Sequence, residues 1–161
     1  MKQEYVTPFL APAQAAWLEE FGCPLKVRAA EAVTPRYSTS DITAIFGVGG
    51  DLEGQVLHCF PEDTVAGLIR HTLGGKHGPR DPESLSALAE IAAVLAGDVT
   101  VMLSAAGYSC NVSPPAICES KKAVLVSTAA DQVMVTFESD MGLFRVRIGL
   151  VEASVELRNA A

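Results

Sequence analysis

Basic side chains are scarce in this chain: its 161 residues carry 12 Lys and Arg against 19 Asp and Glu, a formal net charge of −7. No basic stripe is available to neutralise phosphates, which weighs against a nucleic-acid partner. The acidic balance still permits a protein partner with a basic rim. Paired cysteine motifs are missing too. Cys23, Cys59, Cys110 and Cys118 form no CxxC and no zinc-ligand spacing with His58, His71 or His77. His58 and Cys59 are adjacent, so in a strand they point to opposite faces and cannot chelate together. The expectation is four reduced, mostly buried thiols and no metal site. Catalytic signatures are also lacking: there is no G-x-S-x-G, Walker A sequence, H-E-x-x-H or G-x-G-x-x-G. The cluster Gly47-Val48-Gly49-Gly50 precedes a strand pattern rather than a helix, so it reads as a hairpin turn and not a phosphate cradle. The segment Met1-Lys2-Gln3-Glu4-Tyr5 lacks the basic-then-apolar pattern of a signal peptide. No apolar run reaches membrane-spanning length free of charge. A soluble cytoplasmic protein that touches neither membrane nor nucleic acid is expected.

Hydrophobic residues make up 49% of the chain, enough to build a core. The length suits one domain over residues 1–161. A first helix is expected from Pro8 to about Phe21, with Thr7 as its cap and Gly22 as its stop. Strand patterns follow at Lys26 to Val33 and Ser38 to Gly49, and Gln55 to Phe60 returns after a looped turn through Gly54. Pro61 to Leu73 reads as a short helix. Its Val65, Leu68, Ile69 and Thr72 share one face, Glu62 and Asp63 sit in its first turn, and Gly74-Gly75 ends it. Tyr108 to Val112 is a strand broken by Ser113-Pro114-Pro115. Three β-rich runs close the chain: Ala123 to Thr128, Gln132 to Glu138 and Leu143 to Val151. Short connections between consecutive strands imply an antiparallel sheet, and the interspersed helices make the class α+β.

The most informative stretch is Pro82 to Gly107, which reads as one long helix. Asp81 can cap it and Pro82 fits its first position. Leu85, Leu88, Ala92, Leu95, Val99 and Met102 recur at helical spacing and define a buried stripe. Opposite lie Ser86, Glu90, Ala93, Val94, Gly97, Val101 and Ser104. A solvated face normally carries many long charged side chains; this one offers Glu90 among small residues, so a partner can approach closely.

Gly50 and Gly54 in the hairpin, the helix ending Leu73-Gly74-Gly75, the segment Ala89 to Gly97, and Gly107-Tyr108 leading to Ser113-Pro114-Pro115 stand in a specific order. In that order, over about Phe9 to Val151, the chain resembles the CheX-like proteins of the CheC/CheX/FliY chemotaxis phosphatase family. The resemblance implies a homodimer paired through strands and the hydrolysis of an aspartyl phosphate on a CheY-type response-regulator receiver. It also implies a Glu-x-x-Asn site on the long helix. There Glu pairs with a receiver lysine and Asn orients the attacking water, while the receiver supplies the divalent metal ion. This protein needs no cofactor of its own. A neutral amide can donate to and accept from water without repelling a phosphoryl group. Here Glu90 matches the Glu, but Ala93 stands at the Asn position, and a methyl group cannot orient water. Glu156-Leu157-Arg158-Asn159 matches by letters only. Glu19 and Glu20 of the first helix have no matching Asn, and Asp98 flanks the site with a charge that repels phosphoryl groups.

Three functions fit these residues. One is a receiver-binding protein with degenerate phosphatase chemistry, docking through Ser86, Glu90, Val94 and Gly97. Another is an active phosphatase with a different water-positioning residue, Asn111 being a remote candidate. The third is a dimerisation or interaction module in which Ala93 and Gly97 allow close helix packing.

Overall fold

The computed structural model describes residues 5–38, 41–97, 99–120, 124–126 and 129–153. After a 3-10 turn at Thr7–Phe9, helix α1 spans Ala11–Phe21 and ends on Gly22 in the left-handed region. The helix therefore starts later than Pro8, and Thr7 does not cap it: two prolines, Pro8 and Pro12, favour a tight turn before the first full helical turn. Strands β1 (Lys26–Val33), β2 (Arg36–Ser38), β3 (Ile42–Gly50) and β4 (Leu52–Phe60) follow. Then come α2 (Glu62–Leu73), α3 (Pro82–Ala96), α4 (Val99–Ala105), β5 (Cys110–Val112), β6 (Ala116–Cys118), β7 (Val124–Val126), β8 (Gln132–Ser139) and β9 (Gly142–Glu152).

Seven strands form one antiparallel sheet in the order β1-β8-β9-β4-β3-β5, with β6 also paired to β3; β2 and β7 make a separate ribbon. The β3–β4 hairpin runs from Ile42 opposite Phe60 to Val48 opposite Gly54. A Cβ at Gly54 would run into the Gly149 carbonyl of β9, so only glycine lets the central strands approach there. The edge strand beyond β3 is split by Ser113-Pro114-Pro115, because proline has no N–H to give the ladder. Ser113 bridges the gap: its N–H donates to the Gly47 carbonyl at 2.9 Å, and its Oγ accepts from the Gly47 N–H at 2.9 Å. Strand β6 is too short to show a period in the sequence and exists because β3 offers it a ladder from Thr43 to Ile45. Of the run Ala123 to Thr128, the ends at 123, 127 and 128 lie outside the described residues.

One sheet face carries Ile42, Ala44 and Phe46 of β3, Leu52, Val56 and Phe60 of β4, and Phe144, Val146, Ile148 and Leu150 of β9, all buried. That period of two is what puts them on a common face. The helices cover it. Phe144 is the hub, with ring centroids 5.2 Å from Trp17, 5.1 Å from Phe60 and 5.2 Å from Phe137. On the other face Arg147 is buried; its guanidinium donates to Gln132 of β8 and to the Thr34 carbonyl, which pins the β1–β2 connection.

Candidate functional site

The loop before α3 is held by Arg80. Its guanidinium donates to the Glu119 carbonyl at 3.0 Å and to Glu62 Oε2 at 3.2 Å, tying the helix approach to the end of β6 and the start of α2. Asp81 occupies the N-cap position of α3 in extended conformation, but its carboxylate does not cap the helix. It accepts instead from the Gly78 N–H at 2.8 Å, closing the loop on itself. Asp41, by contrast, does reach a helix start: it accepts from the Glu62 N–H, the first of α2, at 2.8 Å.

Helix α3 buries Ser84, Leu88, Ile91, Ala92, Leu95 and Ala96, and α4 continues the stripe with Val99 and Leu103. The long helix is thus two segments, with Gly97 between them. The Gly97 N–H donates to Val94 O at 3.1 Å, an i to i−3 bond that tightens the last turn. Residue 98 lies outside the described residues. Leu103 takes the core position that the period assigned to Met102, which is 36% exposed. Val99 keeps its expected core place beyond Gly97, and Leu103 follows it at i+4, a helical spacing as good as the i+3 of Met102. Together Pro82–Ala105 measures 24 residues and is long and apolar enough to cross a bilayer. Part of that apolarity is the core stripe packed on the sheet, and part is the exposed Val94, Val101 and Met102.

The opposite face is as bare as the sequence implies. Ser86, Glu90, Ala93, Val94 and Gly97 are all exposed, and Val101 and Ser104 extend the face onto α4. Glu90 and Ala93 fall on the same side because three residues make nearly one turn. Beside them α1 adds residues that the sequence does not place there: Ala15, Ala16, Glu19 and Glu20 border a shallow recess with Val94. They lie off α1's own buried set of Ala13, Trp17 and Phe21, which is the available signal. Asn111 stands on β5 at the sheet edge opposite Gly49, not on the helix face. Glu156 to Asn159 lies outside the described residues.

The other chemistry-bearing groups have structural surroundings. His58 is buried on the core face between the rings of Phe46 and Phe60, 5.1 and 6.4 Å away. Its Nδ1 has no hydrogen-bond partner, and burial pushes its pKa down to about 4, so it is neutral. Only Cys59 is buried; Cys23, Cys110 and Cys118 are half-exposed, because they sit in a loop and in edge strands rather than in the core. Among the described residues no three His, Cys, Asp or Glu side chains converge on a point that could hold a metal ion.

A family model described as chemotaxis phosphatase CheX matches residues 42–138, more than half of the chain. The chain belongs to the CheX family. A curated relative, the CheY-P phosphatase CheX of Thermotoga maritima, is 24% identical over 81 residues, covering 50% of this chain and 52% of that protein. The chain thus spans about half the length of this curated relative. A CheC-like superfamily protein from Shewanella superposes with a TM-score of 0.81 at 19% identity, covering 94% of this chain and 99% of that one. CheX in a CheX–CheY–BeF3–Mg2+ complex from Borrelia burgdorferi does so with a TM-score of 0.65 at 21% identity, over 92% and 98%. At these identities the solved structures show a common fold: an antiparallel sheet with helices packed on it, the α+β class expected from the sequence.

Proposed function

We propose that this CheX-family chain binds a CheY-type response-regulator receiver through the outward face of α3, with Glu90 as the charged contact and Ser86, Val94 and Gly97 as its close-packing surround. The observation that carries this is the joint exposure of Glu90 and Ala93 on a helix whose other side is core. The CheX–CheY complex of a structural neighbour supports the choice of partner. Glu90 is the only ionisable side chain among these residues, and a carboxylate there pairs with a receiver lysine once the contact excludes water. Ala93 replaces the Asn of Glu-x-x-Asn, so phosphatase turnover is weak or absent while docking persists. Any divalent ion in the complex belongs to the receiver.

The same proposal includes one cytoplasmic domain that pairs with itself through a sheet edge. Of the two edges, β5 and β6 are interrupted by Pro114-Pro115, which leaves β1. Its residues from Lys26 to Ala32 are exposed, an unusual state for a strand of eight residues. The register slips between Val27 and Ala29, and Arg28 pairs with Glu138 at 2.5 Å, so the first half is blunted against pairing. From Ala29 to Val33 the register runs unbroken and the side chains other than Glu31 are alanines and a valine, which suits a second copy.

Calorimetry of the chain against a beryllofluoride-loaded CheY-type receiver from the same genome tests the docking. Saturable binding that Glu90→Lys abolishes supports it. Binding indifferent to α3 substitutions rejects it in favour of a dimerisation module.

A further inference from the structure

Two large apolar side chains are exposed on the Glu90 face: Val94 is 48% exposed and Val101 65%. Val94 and Val101 are seven residues apart, about two helical turns, on the side that begins at Glu90. Between Glu90 and Val101 that face presents only Ala93, Val94 and Gly97 among the described residues. Their side chains are a methyl group, an isopropyl group and a hydrogen atom. None can donate to or accept from water.

We propose that this face is a dry cover: seated over the aspartyl phosphate of a CheY-type receiver, it slows the loss of the phosphoryl group to water. The inference rests on the docking proposed above. Hydrolysis of an aspartyl phosphate needs a water oxygen in line with the acyl P–O bond. The new O–P bond forms as the acyl P–O bond breaks, the aspartate carboxylate leaves, and the water's protons pass to the phosphate product and solvent. A docking surface with a polar group at the Ala93 position would deliver that water. This one ends at the Ala93 methyl group and brings no group that could position or activate that water. Among the described residues Glu90 is the one charge on this face of α3 between Ser86 and Val101, matched to a receiver lysine, while Glu19 and Glu20 of α1 stay at the rim beside Val94. The class of ligand is therefore a phosphorylated receiver that is protected rather than consumed.

The test follows decay of a CheY-type receiver labelled with acetyl phosphate and freed of donor, with and without saturating protein, alongside binding to the beryllofluoride-loaded receiver. The phosphoryl half-life should lengthen several-fold. Val101→Asp, at an exposed position where circular dichroism will report an intact fold, should lose both binding and protection. Ala93→Asn should keep binding and turn protection into acceleration. Decay at the free-receiver rate or faster while binding persists overturns the cover and leaves the docking standing. A Val101→Asp variant that protects as well as the wild type also overturns it. Absence of binding overturns docking and cover together.

Discussion

Glu90 and Ala93 stand exposed on the same side of α3, while Ile91 and Ala92 between them are buried against the sheet. The helix therefore offers one carboxylate and one methyl group, a turn apart, to whatever approaches. The consequences divide cleanly between binding and chemistry.

Binding should depend on Glu90. Truncation to Ala leaves an exposed helix position that Ala suits well, so the fold should persist. Loss of the lysine contact should weaken receiver binding by roughly 1–3 kcal/mol. Glu90→Lys should be worse, because like charges meet. Calorimetry with both variants measures this, and wild-type affinity in both would move the docking site elsewhere.

Turnover should depend on Ala93. The wild-type chain should not accelerate receiver dephosphorylation, because nothing at that position orients water. A missing positioning group costs on the order of 100-fold or more in rate, and Ala93→Asn should recover part of it. Phosphate release measured with wild type and variant decides the matter. Robust wild-type turnover that α3 substitutions leave unchanged would refute the role of this face.

Assembly should follow β1. Light scattering at micromolar concentration should give twice the chain mass. A further charge placed on the second half of β1, as in Ala30→Glu, should shift the population to monomer, since a dimer seam buries both copies of it. A monomer mass for the wild-type chain would sink the proposal.

Acid should loosen the core through His58. Its pKa falls from 6.5 unfolded to about 4 folded, because burial disfavours the imidazolium. The unfolded state then binds the proton first, so stability is intact above the unfolded value and declines as pH falls toward the folded one. The loss at full protonation is on the order of 3 kcal/mol. Urea melts across that window should show the decline in the wild type and a flatter limb in His58→Leu. Equal acid limbs in both proteins would remove His58 from the account.

The core faces were legible in the sequence because a strand's period of two and a helix's of 3.6 are local properties. Ile42, Ala44 and Phe46 alternate into the core, and Leu88, Ala92 and Leu95 recur along one helix side, before any contact is known. The bareness around Glu90 was legible for the same reason. What the sequence could not contain was anything set by partners distant along the chain. Asp81 has the sequence position of a cap, yet its carboxylate turns back to Gly78, while the first N–H of α2 is met by Asp41, from the connection before β3. Strand β6 forms because β3 leaves a ladder open, and the core takes Leu103 at i+4 from Val99 rather than Met102 at i+3, a choice that packing makes and periodicity does not. Glu19 and Glu20 come to border Val94 only because α1 packs beside α3, and β1 became the available edge only when the strand order was settled. Local periodicity says which side of an element is buried; only tertiary packing says which exposed sides become one surface.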